Sequence, residues 1–301
     1  MIDWIAPALA SPALFSFITL VDKQVLSGFN VRVRAFNVVV GTSQGIFSLA
    51  IVLINPMPAV GVTVILGGLG VGLLHGVSLT LMFWVLARED ASRVVPVMQV
   101  SPILVAIMAT FFFGEALGPL LWFAVLLAVG GAVLVSVRLG GGGHGITFRP
   151  VFLLLVVSSV LTAFSQILLK ATTQDLSVFH TLALRGAGLF AAMTVLHARR
   201  STVAEMARFL RNPRRGPWLV LSEGVLPFVG HILGITAVSR GPVSLVSALM
   251  GTRPVCVFLG SLLGSRVAPR FVYESFGRSE LPLKLGAAIM VVAAIVLIAV
   301  G

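Results

Sequence analysis

Two arginines and one glutamate lie well inside long apolar runs of the sequence, where a charge is costly and is by default a functional hypothesis. They are Arg185, Glu223 and Arg253. The two arginines would present positive charge to a carboxylate or phosphate, and Glu223 would balance them or carry a proton. The alternative is structural, since Glu223 and Arg253 would also neutralise each other as a buried pair.

Further polar side chains in the apolar runs extend this candidate site. Each suits either a hydrogen bond between helices or a contact with a bound solute, and they are Gln44, Gln99, Gln166, His75 and His231. The histidines would also suit a proton relay near neutral pH, although no spacing requires one. Lys23 and Lys170 stand at the ends of runs, where a lysine either extends to the membrane surface or contacts substrate.

Enzyme chemistry has no support in the sequence. No zinc-ligand cluster or hydrolase triad is visible, so we expect no catalytic residues, no metal and no cofactor. The glycine-rich GGLGVG at 67–72 follows no soluble strand, so we expect it to pack helices together rather than bind a nucleotide. The single Cys256 excludes an internal disulfide.

The elements that must position these residues follow from the composition. Of 301 residues, 58% are hydrophobic and 10% are charged, which excludes an ordinary water-soluble fold. A hydrocarbon layer about 30 Å thick takes roughly 20 helical residues, and unbroken apolar stretches favour helices over barrel strands. We predict an all-α polytopic membrane protein with ten transmembrane helices at 5–21, 36–54, 60–86, 92–113, 119–137, 150–169, 178–196, 218–238, 243–263 and 283–300.

The sequence also repeats itself in two halves. FITLVDK at 17–23 is echoed by FSQILLK at 164–170, and SRVVPVMQVSP at 92–102 by SLVSALMGTRP at 244–254, in the same order. A glycine-rich linker at 141–148 would separate a first five-helix repeat, 1–140, from a second, 149–301. Because five spans is an odd number, the two halves would lie inverted in the membrane, as in secondary transporters.

Four features together resemble the EamA family of the drug/metabolite transporter superfamily. They are the Ser-Pro of the fourth run, FFFGEALG at its end, the glycine-bearing fifth run and the arginine in LALRGAGLFAA. The resemblance implies ten helices in two inverted repeats that export small metabolites or drugs by alternating access through a central cavity. The second half departs from the pattern, because its ninth run closes on LGSLLG and no glycine directly precedes Glu280.

The expected partners are a small anionic or zwitterionic molecule and the lipid of a bacterial cytoplasmic membrane. Proton coupling, and the choice between monomer and homodimer, are left open. Two alternatives also stay open. FSQILLK resembles flippases of the same superfamily, which favours a lipid-linked substrate, whereas a membrane scaffold subunit without transport activity would place its conspicuous residues on an outer face.

Charge gives an orientation. The net charge of +11 does not indicate a nucleic-acid partner, because the basic residues stand in loops beside the apolar runs. Near the even-numbered loops only Lys170 and Arg240 are basic, so the positive-inside rule places the odd-numbered loops in the cytoplasm and both termini outside. Members of the family that the chain resembles have both termini inside.

Two local structures are predicted outside the spans. Glu115, in the turn after the fourth run, should accept hydrogen bonds from the free N–H groups of the next helix and act mainly as a structural clamp. STVAEMARFLRNPRR at 201–215 should form a surface helix with a capping box of Thr202 and Glu205, and RFVYESF at 270–276 is similar.

Overall fold

The computed structural model describes residues 3–29, 33–86, 94, 97–136, 151–212, 216–267 and 280–300. These residues form helices and turns, and none of them is in a strand, so the all-α prediction is confirmed for this part of the chain. The predicted linker and the segment 270–276 lie outside the described residues. The helices are α1 (Ile5–Phe29), α2 (Val33–Ile54), α3 (Val62–Leu86), α4 (Ser101–Phe113), α5 (Pro119–Ser136), α6 (Val151–Asp175), α7 (Val178–His197), α8 (Arg200–Leu210), α9 (Gly216–Val220), α10 (Leu226–Arg240), α11 (Val243–Met250), α12 (Arg253–Val267) and α13 (Glu280–Val300).

Many of these helices qualify as membrane spans by length and composition. Seven helical segments are long and apolar enough to cross a bilayer, namely Arg34–Ile54, Val62–Val85, Leu153–Asp175, Val178–Val195, Gly216–Arg240, Val243–Gly260 and Leu281–Val300. The fifth of these segments joins α9 to α10, and the sixth joins α11 to part of α12. Ile5–Thr19, Ser101–Phe113 and Pro119–Val135 are shorter apolar helices. The chain is therefore a multi-pass membrane protein, and the count of ten spans stays a prediction.

The helices before residue 137 pack mainly against those after residue 150. The principal pairs are α2 with α7, α3 with α6 and α7, α5 with α13, and α1 with α10. Gly41 lies against Met193 and Gly45 against Phe190, so α2 and α7 are antiparallel. The core therefore forms between the two halves of the sequence.

The GGLGVG segment brings α3 against the backbone of α7. A Cβ on Gly72 would overlap the carbonyl group of Arg185, and one on Gly188 would overlap the carbonyl of Leu69. Small residues allow this approach, which in lipid replaces the hydrophobic driving force between helices. The prediction that GGLGVG packs helices is confirmed, and this packing fixes the position of Arg185.

Three of the predicted spans are not continuous helices. A π-helical turn, Leu221–Val225, joins α9 to α10. Gly251 and Thr252 separate α11 from α12, and Gln99 and Val100 form a turn just before α4. In both of the latter cases a proline, Pro254 or Pro102, follows the break and lacks the N–H that would continue the preceding helix. The interruptions hold several of the polar residues named above.

The surface helix is confirmed as α8, but its predicted capping box is wrong. The helix begins at Arg200, so Thr202 is a buried residue of the first turn rather than the residue before the helix. Val203 on the predicted apolar face is exposed, as an interfacial helix requires before lipid covers it.

Candidate functional site

Arg185 lies in the middle of α7, and 6% of its side chain is exposed. Its Nη1 has no hydrogen-bond partner among the residues that the structure describes. On α7 it shares the face of Leu184, Gly188 and Leu189, which pack against α3. A buried guanidinium nitrogen without a partner is destabilising, and a functional role for Arg185 stays a prediction.

Gln44 of α2 lies at the same depth as Arg185. Its carbonyl oxygen would be 2.9 Å from a Cβ on Gly186, the residue after Arg185. The Gln44 side chain is 2% exposed, and within the described part of the chain its Nε2 has no hydrogen-bond partner. Two buried donors that lack acceptors therefore stand at the α2 and α7 interface.

Glu223 is buried in the π-helical turn, with 5% of its side chain exposed. Four residues later Pro227 has no N–H, so the carbonyl oxygen of Glu223 cannot form the usual helical bond. The hydroxyl of Ser43 on α2 donates to that carbonyl at 2.6 Å instead. This bond joins the backbone of the turn to α2, the helix that carries Gln44. Whether Glu223 and Arg253 form the buried pair stays a prediction.

Arg253 is the first residue of α12 and its side chain reaches α1. Its Nη2 donates to the hydroxyl of Thr19 at 2.5 Å, and its guanidinium carbon is 5.3 Å from the centre of the Phe15 ring. Phe15 also contacts His231 of α10, with ring centres 4.9 Å apart. The positive charge at the second helix break is thereby oriented by an aromatic ring and a hydroxyl.

The two histidines of the apolar runs lie on different helices. His75 of α3 and His231 of α10 are both partly buried, and His231 contacts the same Phe15 ring as Arg253. Phe47 and Phe228 stack nearby with ring centres 4.5 Å apart, and Phe47 lies beside Gly224 of the π-helical turn. The structure thus brings His231 and Arg253 together on the Phe15 ring, and a single region that also holds His75, Arg185 and Glu223 stays a prediction.

Gln99 and Gln166 contact the second interrupted span. The Nε2 of Gln99 donates to the carbonyl oxygen of Gly251 at 2.6 Å, so the two helix breaks touch each other. Gln166 of α6 has its Nε2 4.0 Å from the sulfur of Met250. Of the two roles expected for Gln99, the structure shows the hydrogen bond between helices, and a contact with a bound solute stays a prediction.

Lys170 caps a helix rather than extending to the surface. Its Nζ donates to the carbonyl oxygens of Val238 and Gly241, each at 2.9 Å, where α10 ends. A lysine at a helix C-terminus satisfies free carbonyls and interacts favourably with the helix dipole. Its role in substrate binding stays a prediction. The side chain of Lys23 lies outside the described part of the molecule.

Glu115 is a clamp, but on a different helix from the one expected. Its carboxylate accepts hydrogen bonds from the N–H of Val243 at 2.8 Å, the N–H of Ser244 at 3.1 Å and the hydroxyl of Ser244 at 2.6 Å. These groups begin α11, not the adjacent α5. The prediction of a bond to the next helix is wrong because the chain reverses at Gly114, whose φ is +65°, and this turns Glu115 towards the other half.

Comparison with known proteins identifies the first half. The model of the EamA-like transporter family matches residues 3–137. Residues 3–137, a little under half of the chain, are thus similar to this family. Members of this family are membrane transporters of the drug/metabolite type rather than enzymes. No curated protein matches the chain.

Solved structures share the fold of nearly the whole chain. The solved structures that match this protein include 29 chains. One of them, described only as the crystal structure of a protein, is 18% identical, covers 98% of this chain and 96% of its own, and has a TM-score of 0.68. At that identity the likeness shows a shared fold and nothing about substrate.

Sequence reasoning missed several residues that contact the candidate charged residues. Thr19, Phe15 and Ser43 contact the charged residues, yet single hydroxyls and aromatic rings in apolar helices carry no distinctive signal.

Proposed function

We propose that this chain is a secondary active transporter that moves a small metabolite or drug across the membrane by alternating access between two inverted five-helix repeats. The contact of Gln99 with Gly251 carries the proposal. In secondary transporters, interrupted helices meet near the midplane at the repeat interface and form the substrate site. Here two interrupted spans meet, and Arg253 begins the helix that follows one of the breaks.

Helix directions support the inverted arrangement. The helices α2 and α7 are second in their halves and run antiparallel, as the contacts Gly41 to Met193 and Gly45 to Phe190 require. Two halves with an odd number of spans would place equivalent helices in opposite directions. The antiparallel packing is the relation that this plan demands.

Equivalent hydrogen bonds support it as well. When FITLVDK is aligned with FSQILLK, Ser11 falls opposite Ser158. When SRVVPVMQVSP is aligned with SLVSALMGTRP and the alignment is continued towards the N-terminus without a gap, Ser78 falls opposite Gly230. Ser11 donates to the carbonyl of Gly230 at 2.9 Å, and Ser158 donates to the carbonyl of Ser78 at 2.9 Å. The contact of α1 with α10 is thus repeated by that of α6 with α3.

One end of the molecule is closed by charged contacts. Lys170 and Glu115 hold the turn between α10 and α11 from two sides, and Arg240 in that turn lies 3.7 Å from Asp3. Trp4 packs against Gly241. In an alternating-access cycle this end would be the closed gate, and the Glu115 bonds would have to break when it opens.

Thiol labelling tests the proposal without a known substrate. Thr19→Cys, in a Cys256→Ser background, places a thiol beside Arg253 in right-side-out and inside-out vesicles. A membrane-impermeant maleimide should label it from both sides, since the site alternates. Adding Glu115→Gln should increase labelling from the side of the α10 and α11 turn, whereas the exposed Asp175→Asn should not. Labelling from one side only, unchanged by Glu115→Gln, would overturn the proposal.

A further inference from the structure

The two buried donors between α2 and α7 have no explanation in the fold. Arg185 and Gln44 are 6% and 2% exposed, yet Arg185 Nη1 and Gln44 Nε2 lack acceptors in the described part of the chain. Burial of an unsatisfied donor costs about 1–3 kcal/mol, and more when the donor is charged. Both of these unfavourable free-energy terms arise at the same depth of the interface between α2 and α7.

Both side chains point towards the same space. On α2, Gly41, Gly45 and Ser48 contact α7, while Ser43 and Phe47 contact the π-helical turn. At 100° per residue, Gln44 lies between these two faces. On α7, Arg185 lies on the face towards α3, beside Leu184 and Leu189. The donors therefore border the region between α2, α3, α7 and α10.

We infer that Arg185 and Gln44 together bind the carboxylate of a monoanionic ligand whose apolar body lies against Phe47 and Phe228. The inference rests on the proposed transport function and assigns Gln44 as a specificity-determining residue of its central site. A planar guanidinium binds a carboxylate through two parallel hydrogen bonds, and the amide N–H₂ of Gln44 supplies a further donor.

Charge balance favours a carboxylate over a phosphate dianion. The formal charges of Arg185, Arg253 and Glu223 sum to +1, which one carboxylate neutralises and a phosphate dianion exceeds. A second charge on the ligand would be repelled in a site of low dielectric constant. The stacked rings of Phe47 and Phe228, 4.5 Å apart, offer an apolar wall and no donor.

Binding of a simple aromatic acid tests this inference. The probe is 4-fluorobenzoate, followed by the broadening of its ¹⁹F NMR line on the full chain in lipid nanodiscs, with neutral 4-fluorobenzamide as the matched ligand. We expect broadening with the acid only. Gln44→Met should weaken binding about tenfold, as expected for a hydrogen bond to a charged group, and Arg185→Met should abolish it.

Stability separates this role from a structural one. Because the two donors have no protein partner, Gln44→Met and Arg185→Met should keep or raise the unfolding temperature of the ligand-free chain while binding falls. Asn37→Leu is the control, since it removes another buried carboxamide of α2 and should leave probe binding unchanged. Gln44→Glu keeps the size and polarity of the side chain and should prevent binding by repulsion.

Three results would overturn the inference. They are no broadening with the parent chain, equal broadening by the amide, and unchanged affinity in Gln44→Met or Gln44→Glu. The NMR measurement involves no transport. If the acid does not bind but thiol labelling occurs from both sides, the carboxylate site is wrong and alternating access is supported. If the acid binds but labelling fails, alternating access is wrong and the carboxylate site is supported.

Discussion

The carboxylate of Glu115 lies 2.8 Å from the backbone nitrogen of Val243, a residue 128 positions later in the chain. With the bonds from Ser244, this single side chain caps the first turn of α11 from the opposite half. Gly114 makes the arrangement possible, because its left-handed backbone ends α4 and its N–H and that of Glu115 both point to the carbonyl of Ala109. The Gly-Glu pair is thus one device for joining two distant helices.

Loss of the Glu115 cap should destabilise the folded chain. Glu115→Ala leaves two N–H groups without an acceptor, and hydrogen bonds to a charged group contribute about 1.5–3 kcal/mol. We expect a lower unfolding temperature in detergent micelles, followed by circular dichroism. Asp175→Asn is the control, since Asp175 is exposed at the end of α6. Equal unfolding temperatures for Glu115→Ala and the parent would contradict the clamp.

Ser43 and Pro227 should show coupled effects on stability. Ser43→Ala removes the donor to the Glu223 carbonyl, and Pro227 has no N–H to replace it. We expect a loss of about 1–3 kcal/mol from Ser43→Ala alone. Adding Pro227→Ala restores a backbone donor, so the double variant should lose less than Ser43→Ala does. A double-mutant cycle with additive effects would show that the two residues do not share the carbonyl.

A methyl group at Gly72 should separate α3 from α7. Gly72→Ala places a Cβ onto the carbonyl of Arg185, where no side chain is available to move aside. We expect strong destabilisation and loss of monodisperse protein on gel filtration. Gly286→Ala is the matched control on α13, because nothing lies within 4 Å of its Cβ position. That variant should be unchanged or more stable by up to about 1 kcal/mol from helix propensity alone. Similar behaviour of the two variants would disprove the backbone contact.

Orientation in the membrane can be decided by two cysteines. Pro58 and Ser201 are exposed residues of an even-numbered and an odd-numbered loop. In a variant without Cys256, single cysteines at these positions would be treated on intact cells with an impermeant thiol reagent. The charge distribution predicts labelling at Pro58 alone, with both termini outside. Labelling at Ser201 alone would instead establish the family orientation.

Local sequence patterns predicted much of the fold. Apolar runs of membrane length gave the helices, because burial in hydrocarbon depends on composition over about 20 residues. The candidate residues Arg185, Glu223 and the two histidines were recognised because charge or polarity in an apolar run is costly wherever it lies. The interruptions before α4 and between α11 and α12 were not predicted, although Pro102 and Pro254 marked both places.

The partners of these residues could not be predicted, for a physical reason. Hydropathy and periodicity report which face of a helix is apolar, but they do not report which helix covers that face. Glu115 was expected to bind its sequence neighbour α5, and Gln44 gave no sign that its amide lies at the depth of Arg185. The sequence by itself determined a multi-pass helical membrane protein with costly polar residues inside its spans. Only tertiary packing, through the close approach of α3 and α2 to α7 at their glycines, decided which residues meet, because hydrogen bonds and charge pairs depend on distances of a few ångströms.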